Sequence, residues 1–235
     1  MKKELDWKTV GHFTRSPCRF AGSAASFRRA WPRINTAGAI PFMNRTRTFI
    51  ALPVSAAVKE LAAEWMHRLG KTGVDVKWVA AENLHLTLKF LGEVPTIELA
   101  EICQRVTSAV ANCEPLEMVF DHVGAFPSAE RPRTLWMGVG AGQEAVLQVH
   151  EQVEQALMQM GFRGEHRQFH PHVTLGRLRS SLATAGALAE VLQTANFGPA
   201  VTCLASQVVV VASQLGRDEP QYQRLATIPL KKSGS

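Results

Sequence analysis

No stretch of this sequence holds the roughly 18 consecutive apolar residues that a membrane-spanning helix requires. The apolar run at 208–212 is only strand-length, so no transmembrane segment and no membrane partner are expected. The N-terminus lacks the continuous apolar stretch of a secretory signal, and Glu4 and Asp6 speak against a transit peptide. Cysteine is scarce. Cys18, Cys103, Cys113 and Cys203 show neither a CxxC spacing nor the density of a small disulfide scaffold. That usage fits a reducing cytoplasm, with Cys103 on the apolar side of a predicted helix as a buried free thiol.

Excess charge is also absent from most of the chain. The net charge of +6 is concentrated in residues 1–42, which hold eight Lys and Arg against Glu4 and Asp6, leaving eighteen basic and eighteen acidic residues over 43–235. Any attraction of the main domain to phosphate must therefore come from local placement of charge. Residues 1–42 mix Arg, Ser, Gly, Pro and isolated aromatics without a sustained period. A disordered basic extension is the expectation there, followed by one domain over 43–235 with Met43 as its natural beginning.

From Arg47 onward, strand and helix patterns alternate. Residues 48–52 read as a strand. Pro53 and Ser55 then introduce a helix with Val58, Leu61, Ala62, Trp65 and Leu69 on one face and Gly70 at its exit. Val74, Val76 and Trp78 alternate with polar residues as a half-buried strand does, and 84–90 is another strand. Leu99, Ile102, Val106 and Val110 mark a second helix, with Thr96 as its candidate cap. The second half repeats the plan. Strands are predicted at 116–120 and 134–139, then a helix on Val146, Val149, Val153 and Leu157 that closes at Gly161. A strand at 172–178, a helix at 182–192 and strands at 207–213 and 222–228 follow. Several neighbouring strands have no helix between them, which favours an α+β arrangement of two similar sheet lobes over a doubly wound sheet.

One tetrapeptide pattern occurs twice, as His85-Leu86-Thr87-Leu88 and His172-Val173-Thr174-Leu175. On a strand the His and Thr of each copy share a face about 6.6 Å apart, and the aliphatic residues take the other. If the two strands lie side by side, two imidazoles and two hydroxyls face one small substrate group. This set suits in-line attack on phosphorus: one neutral imidazole accepts a proton from the attacking oxygen while the other, protonated, supplies the leaving oxygen. Thr87 and Thr174 would hold the non-bridging oxygens. No metal or cofactor is needed by this chemistry.

The paired motifs and their surroundings resemble the 2H phosphoesterase superfamily, in particular the RNA 2′,3′-cyclic phosphodiesterases also named 2′-5′ RNA ligases. The resemblance runs from about Arg47 to Leu230. It includes the opening strand at 48–53, the block Asn83-Leu84-His85-Leu86-Thr87-Leu88-Lys89-Phe90-Leu91-Gly92, the segment Arg131-Pro132-Arg133-Thr134-Leu135-Trp136, and Phe169-His170-Pro171-His172-Val173-Thr174-Leu175-Gly176-Arg177. It implies a bilobal, pseudo-two-fold α+β fold, with two antiparallel sheets flanked by helices and a central cleft. It also implies opening of a terminal cyclic phosphate to a 2′-phosphate, with His85 as proton donor, His172 as acceptor and 2′-5′ joining as the reverse reaction. The expected partners are RNA ends or nucleotides bearing a 2′,3′-cyclic phosphate, and the expected protein is a cytoplasmic monomer. Two other readings stay open: a non-catalytic module that binds RNA ends or nucleotides, and a phosphodiesterase for another small cyclic phosphate or a 2′-5′ oligonucleotide.

Three sets of residues remain. His170 and His172 stand at i and i+2 and could share a metal, but no further ligand cluster accompanies them. His170 is expected to position the strand or bond near the cleft. Arg131 and Arg133 are candidate phosphate contacts, whereas Arg177, five residues past His172, points away from the His face of an ideal strand. Phe90, Phe126 and Phe169 offer rings to a terminal base, with core packing the reading favoured for each.

Overall fold

The structure is a computed structural model that describes residues 44–164, 168–179, 185–194, 197–215 and 220–231. The expectation for residues 1–42 lies outside the described residues. In chain order the elements are β1 (Arg45–Pro53), α1 (Ala56–Gly70), β2 (Val76–Trp78), β3 (His85–Pro95), α2 (Leu99–Ala109), β4 (Leu116–Phe126), β5 (Thr134–Val139), α3 (Gln143–Met158), β6 (His172–Leu178), α4 (Ala185–Thr194), β7 (Val201–Ala205), β8 (Gln207–Leu215) and β9 (Pro220–Pro229).

The helices follow their apolar stripes. Val58, Leu61, Ala62, Trp65 and Leu69 of α1 are all buried, each large side chain contributing roughly 1.5–3 kcal/mol of burial. Ser55 caps that helix by accepting the Val58 N–H at 3.4 Å. The α3 stripe of Val146, Val149, Val153 and Leu157 is buried as well, and His150 is buried among it. Gly161 adopts φ of 88°, the left-handed turn that lets the Phe162 N–H reach the Leu157 carbonyl at 3.2 Å. Thr96 does not cap α2. Its hydroxyl instead donates to the Asn44 carbonyl at 2.6 Å, and α2 starts without a side-chain cap bond.

All pairings among the described strands are antiparallel, in the order β7-β4-β5-β6-β3-β1-β8-β9, with β2 also on β6. The two expected sheets are thus the halves of one path, four strands on each side of a single pair, Leu86 with Val173. Beyond that pair β3 and β6 separate. β2 takes up the vacated edge of β6, pairing Val76 to Trp78 with Leu178 to Gly176.

The main core lies between the sheet and the helices and takes in Ile50, Leu52, Leu86, Leu88, Val173 and Leu175. On the other face of β1 and β8 a second apolar group forms from Phe49, Ala51, Val209 and Val211. Both faces of β1 are therefore covered, which is why Phe49, Ile50, Ala51 and Leu52 are buried in succession. Among the described residues no helix is long and apolar enough to cross a membrane.

Candidate active site

The two motifs meet where the halves of the sheet meet. Both strands begin with the same burial sequence: a half-buried His, a buried aliphatic, a half-buried Thr and a buried Leu. With Leu86 opposite Val173, strand alternation puts His85, Thr87, His172 and Thr174 on the face away from the main core.

Each histidine is fixed in the same way. A carbonyl two residues upstream accepts its Nδ1–H, that of Asn83 at 2.6 Å for His85 and that of His170 at 2.7 Å for His172. A carbonyl can only accept, so the proton on Nδ1 is set and Nε2 is left as the nitrogen for proton transfer. Aromatic rings wall both imidazoles. Phe49 stacks on His85 at 4.7 Å and Tyr222 meets it edge-on at 5.6 Å. Phe126 packs edge-on against His172 at 5.0 Å, with Trp136 at 6.2 Å.

Burial pushes both imidazoles below their ordinary value of 6.5. The carbonyl bonds oppose this in each ring. Charge on His172 further disfavours a proton on His85, and charge on His170 does the same for His172. His85 and His172 are therefore close enough to interact electrostatically.

A cavity of about 310 Å³ opens where β3 and β6 diverge, beside His85, with Thr87 and Thr174 in its lining. This volume suits one small ligand. Its aromatic walls are Phe49, Phe90, Trp78 and Tyr222, and its cations are Arg47, Lys77 and Arg177. Burial raises the Tyr222 phenol, and Arg177 and Arg47 partly offset this, which puts both guanidinium groups within electrostatic reach of the cavity.

Arg177 and Phe90 depart from the ideal-strand expectation for one reason. Thr174 pairs with Trp136 but Gly176 with Leu135, so Leu175 is an extra residue and the alternation reverses after it. Arg177 then falls on the Thr174 face. In β3, Thr87 pairs with Ala51 and Lys89 with Ile50, so Leu88 is the extra residue and Phe90, 55% exposed, reaches the cavity instead of the core. Equivalent bulges thus re-aim the fifth residue after each histidine.

Arg131 and Arg133 are exposed, between β4 and β5, and are not among the residues that line the cavity. Phe126 backs His172, and Phe169 packs against the core with its ring stacked on His150. Among the described residues no group of three or more His, Cys, Asp or Glu is arranged to hold a metal.

Arg47, Lys77, Trp78 and Tyr222 escaped sequence reasoning because β1, β2 and β9 carry no motif. The Asn83 and His170 carbonyls had a signal, the same position two residues before each motif histidine.

Paired imidazoles in one tautomer, each beside a threonine on adjoining strands, define a protein equipped for two-sided proton transfer at a small group. Comparison with known proteins gives the lineage. The sequence pattern of the 2′-5′ RNA ligase superfamily matches residues 51–217, and the chain belongs to that superfamily. An RNA 2′,3′-cyclic phosphodiesterase of Aeropyrum pernix is 36% identical over 166 residues, covering 71% of this chain and 93% of the relative. Two solved structures share the fold. TT0787 of Thermus thermophilus aligns with a TM-score of 0.66 at 23% identity, over 80% of this chain and 99% of that one. E. coli LigT complexed with 3′-AMP aligns with a TM-score of 0.61, also at 23% identity and with the same coverage.

Proposed function

We propose that this chain is an RNA 2′,3′-cyclic phosphodiesterase that opens the cyclic phosphate to a 2′-phosphate. The observation that carries the reading is the meeting of His85 and His172 on adjoining strands, each with Nδ1 tied to a carbonyl and Nε2 left for chemistry. The naming of the Aeropyrum relative and the 3′-AMP complex of LigT support the same substrate class.

In the proposed reaction His172 takes a proton from water as the water oxygen attacks phosphorus. The P–O3′ bond breaks in line with that attack, and His85 gives its proton to O3′. The product carries a 2′-phosphate and a 3′-hydroxyl, and solvent exchange resets the two rings. Thr87 and Thr174 bond the non-bridging oxygens, where charge grows in the transition state. An RNA 5′-hydroxyl in place of water gives a 2′-5′ linkage by the same displacement.

The cavity's position agrees with this polarity. O2′ and O3′ belong to one ribose, so the terminal nucleoside lies on the side of the proton donor, and the cavity opens beside His85. Its aromatic walls suit a base and its arginines suit phosphate charge. Incubating the protein with a short RNA ending in a 2′,3′-cyclic phosphate tests the reading. A 2′-phosphate product is expected. A 3′-phosphate would contradict the polarity, and tight binding without turnover would favour a non-catalytic module.

A further inference from the structure

His150 stands outside the cavity, on the apolar stripe of α3, and only 7% of it is exposed. Val146, Val149, Val153 and Leu157 fill the same stripe. An imidazole is a costly substitute for an aliphatic side chain there unless its polar atoms are satisfied in place. Its Nδ1–H donates to the Leu88 carbonyl at 2.9 Å. Leu88 is the extra residue of the bulge that ends the first motif, so β1 offers it no register partner, and β6 pairs with β3 only at Leu86. One turn further along α3, Glu154 binds the ammonium of Lys89, the next residue of the same strand. The helix therefore grips two successive residues of the bulge.

The face of the imidazole has a second task. It stacks on Phe169 with ring centres 3.9 Å apart and planes within 8° of parallel. Phe169 directly precedes His170, whose carbonyl holds the Nδ1–H of His172. We propose that His150 is a positioning residue for the reaction, tying the end of the first motif and the lead-in to the second to one imidazole. Through it the separation of His85 and His172 is fixed from outside the cleft. The inference rests on the activity proposed above, and displacement of either reacting group by a fraction of an ångström is expected to slow the chemical step more than binding.

The test is steady-state turnover of a cyclic-phosphate RNA by His150→Phe, His150→Asn, Phe169→Leu and His150→Phe/Phe169→Leu, below the melting temperature of each. His150→Phe and Phe169→Leu should each lower kcat about tenfold with KM within about twofold. His150→Asn, whose amide nitrogen can replace Nδ1 but whose side chain cannot stack on Phe169, should fall about as far as Phe169→Leu. The double variant should lose less than the product of the two single losses. A His150→Phe protein with lowered Tm but normal kcat would reduce the residue to packing and overturn the proposal, as would an effect confined to KM. If His150→Phe does not fold, the kcat of Phe169→Leu decides alone. Side-chain proton–nitrogen spectra of His85 and His172 separate this inference from the activity itself. Both rings should shift in His150→Phe or Phe169→Leu even if wild type turns over no cyclic phosphate, and unchanged His172 signals would overturn the proposal.

Discussion

Replacing Glu154 with Gln removes one charge from the ion pair that Lys89 makes inside the fold. The Lys89 side chain is 2% exposed and that of Glu154 14%. The ammonium also donates to the Arg163 carbonyl at 3.0 Å. Two unit charges about 3 Å apart attract by about 5 kcal/mol at an effective dielectric of about 20. Glu154 keeps some contact with solvent, and removing one partner of a buried pair typically costs about 3–5 kcal/mol. The expected loss for Glu154→Gln is about 3 kcal/mol. For a domain of this size that lowers Tm by roughly 6–12 °C. Lys89→Met/Glu154→Leu should regain most of it, because an apolar pair of similar volume removes both charges of the pair together. Urea unfolding followed by tryptophan fluorescence measures both. A loss under about 1 kcal/mol for Glu154→Gln, or a double variant no more stable than the single, would refute the reasoning.

Both imidazoles are held below 6.5 by burial, so the singly protonated pair predominates on the acid side and kcat/KM should trace a bell with its maximum below about pH 6.5; a maximum on the alkaline side would contradict the burial argument. A histidine with a depressed folded-state pKa contributes stability above its unfolded value that is lost as pH falls through the folded value. Wild type should therefore lose stability below about pH 6.5, and His85→Ala and His172→Ala should lose less over the same range in denaturant titrations. A Cβ at Gly176 would lie 2.5 Å from Val76 Cγ1 and 3.1 Å from the Lys77 carbonyl. Gly176→Ala should cost about 1–3 kcal/mol and raise KM, since β2 brings Lys77 and Trp78 to the cavity; an unchanged KM would show that β2 does not shape the substrate site. Deleting residues 1–42 should leave Tm and turnover nearly unchanged but weaken salt-sensitive RNA retention, and a large fall in Tm would refute that boundary.

The sequence announces elements whose apolar period is clean. The stripes of α1 and α3 match their predicted positions because each buries one face without interruption, and β5 matches its own because a run buried on both faces stands out as continuously apolar. β4 runs on to Phe126, beyond the predicted 116–120, because a register shift between Phe120 and His122 breaks the alternation. β7 (Val201–Ala205) has no counterpart among the predicted strands; it is an edge strand that pairs with β4 alone among the described strands, with Leu204 63% exposed. The predicted helix at 182–192 is seen from Ala185 to Thr194, and residues 182–184 lie outside the described residues.

Within the site, the period of two places His85, Thr87, His172 and Thr174 on one face because the His and Thr of each motif precede the bulge in its strand. The same period fails for Phe90 and Arg177 because each follows one. A bulge depends on how a neighbouring strand pairs, and no local pattern at Leu88 or Leu175 records it. The carbonyl bonds of His85 and His172 are local and share one spacing, so they were within reach of the sequence. Cavity residues from β1, β2 and β9 depend on strand order, which short-range spacing does not encode.

Single-turnover cleavage of a cyclic-phosphate RNA by His85→Ala and His172→Ala, in EDTA and beside a binding measurement, tests most directly whether two imidazoles act as a proton-transfer pair. Each variant should be slower by roughly 10² to 10⁴, the usual contribution of a positioned acid or base. Binding should change little, because Thr87, Thr174 and the cavity remain, and wild type should be as fast in EDTA as without it. Normal turnover by either variant would contradict the paired mechanism, as would wild-type activity lost in EDTA and restored by zinc.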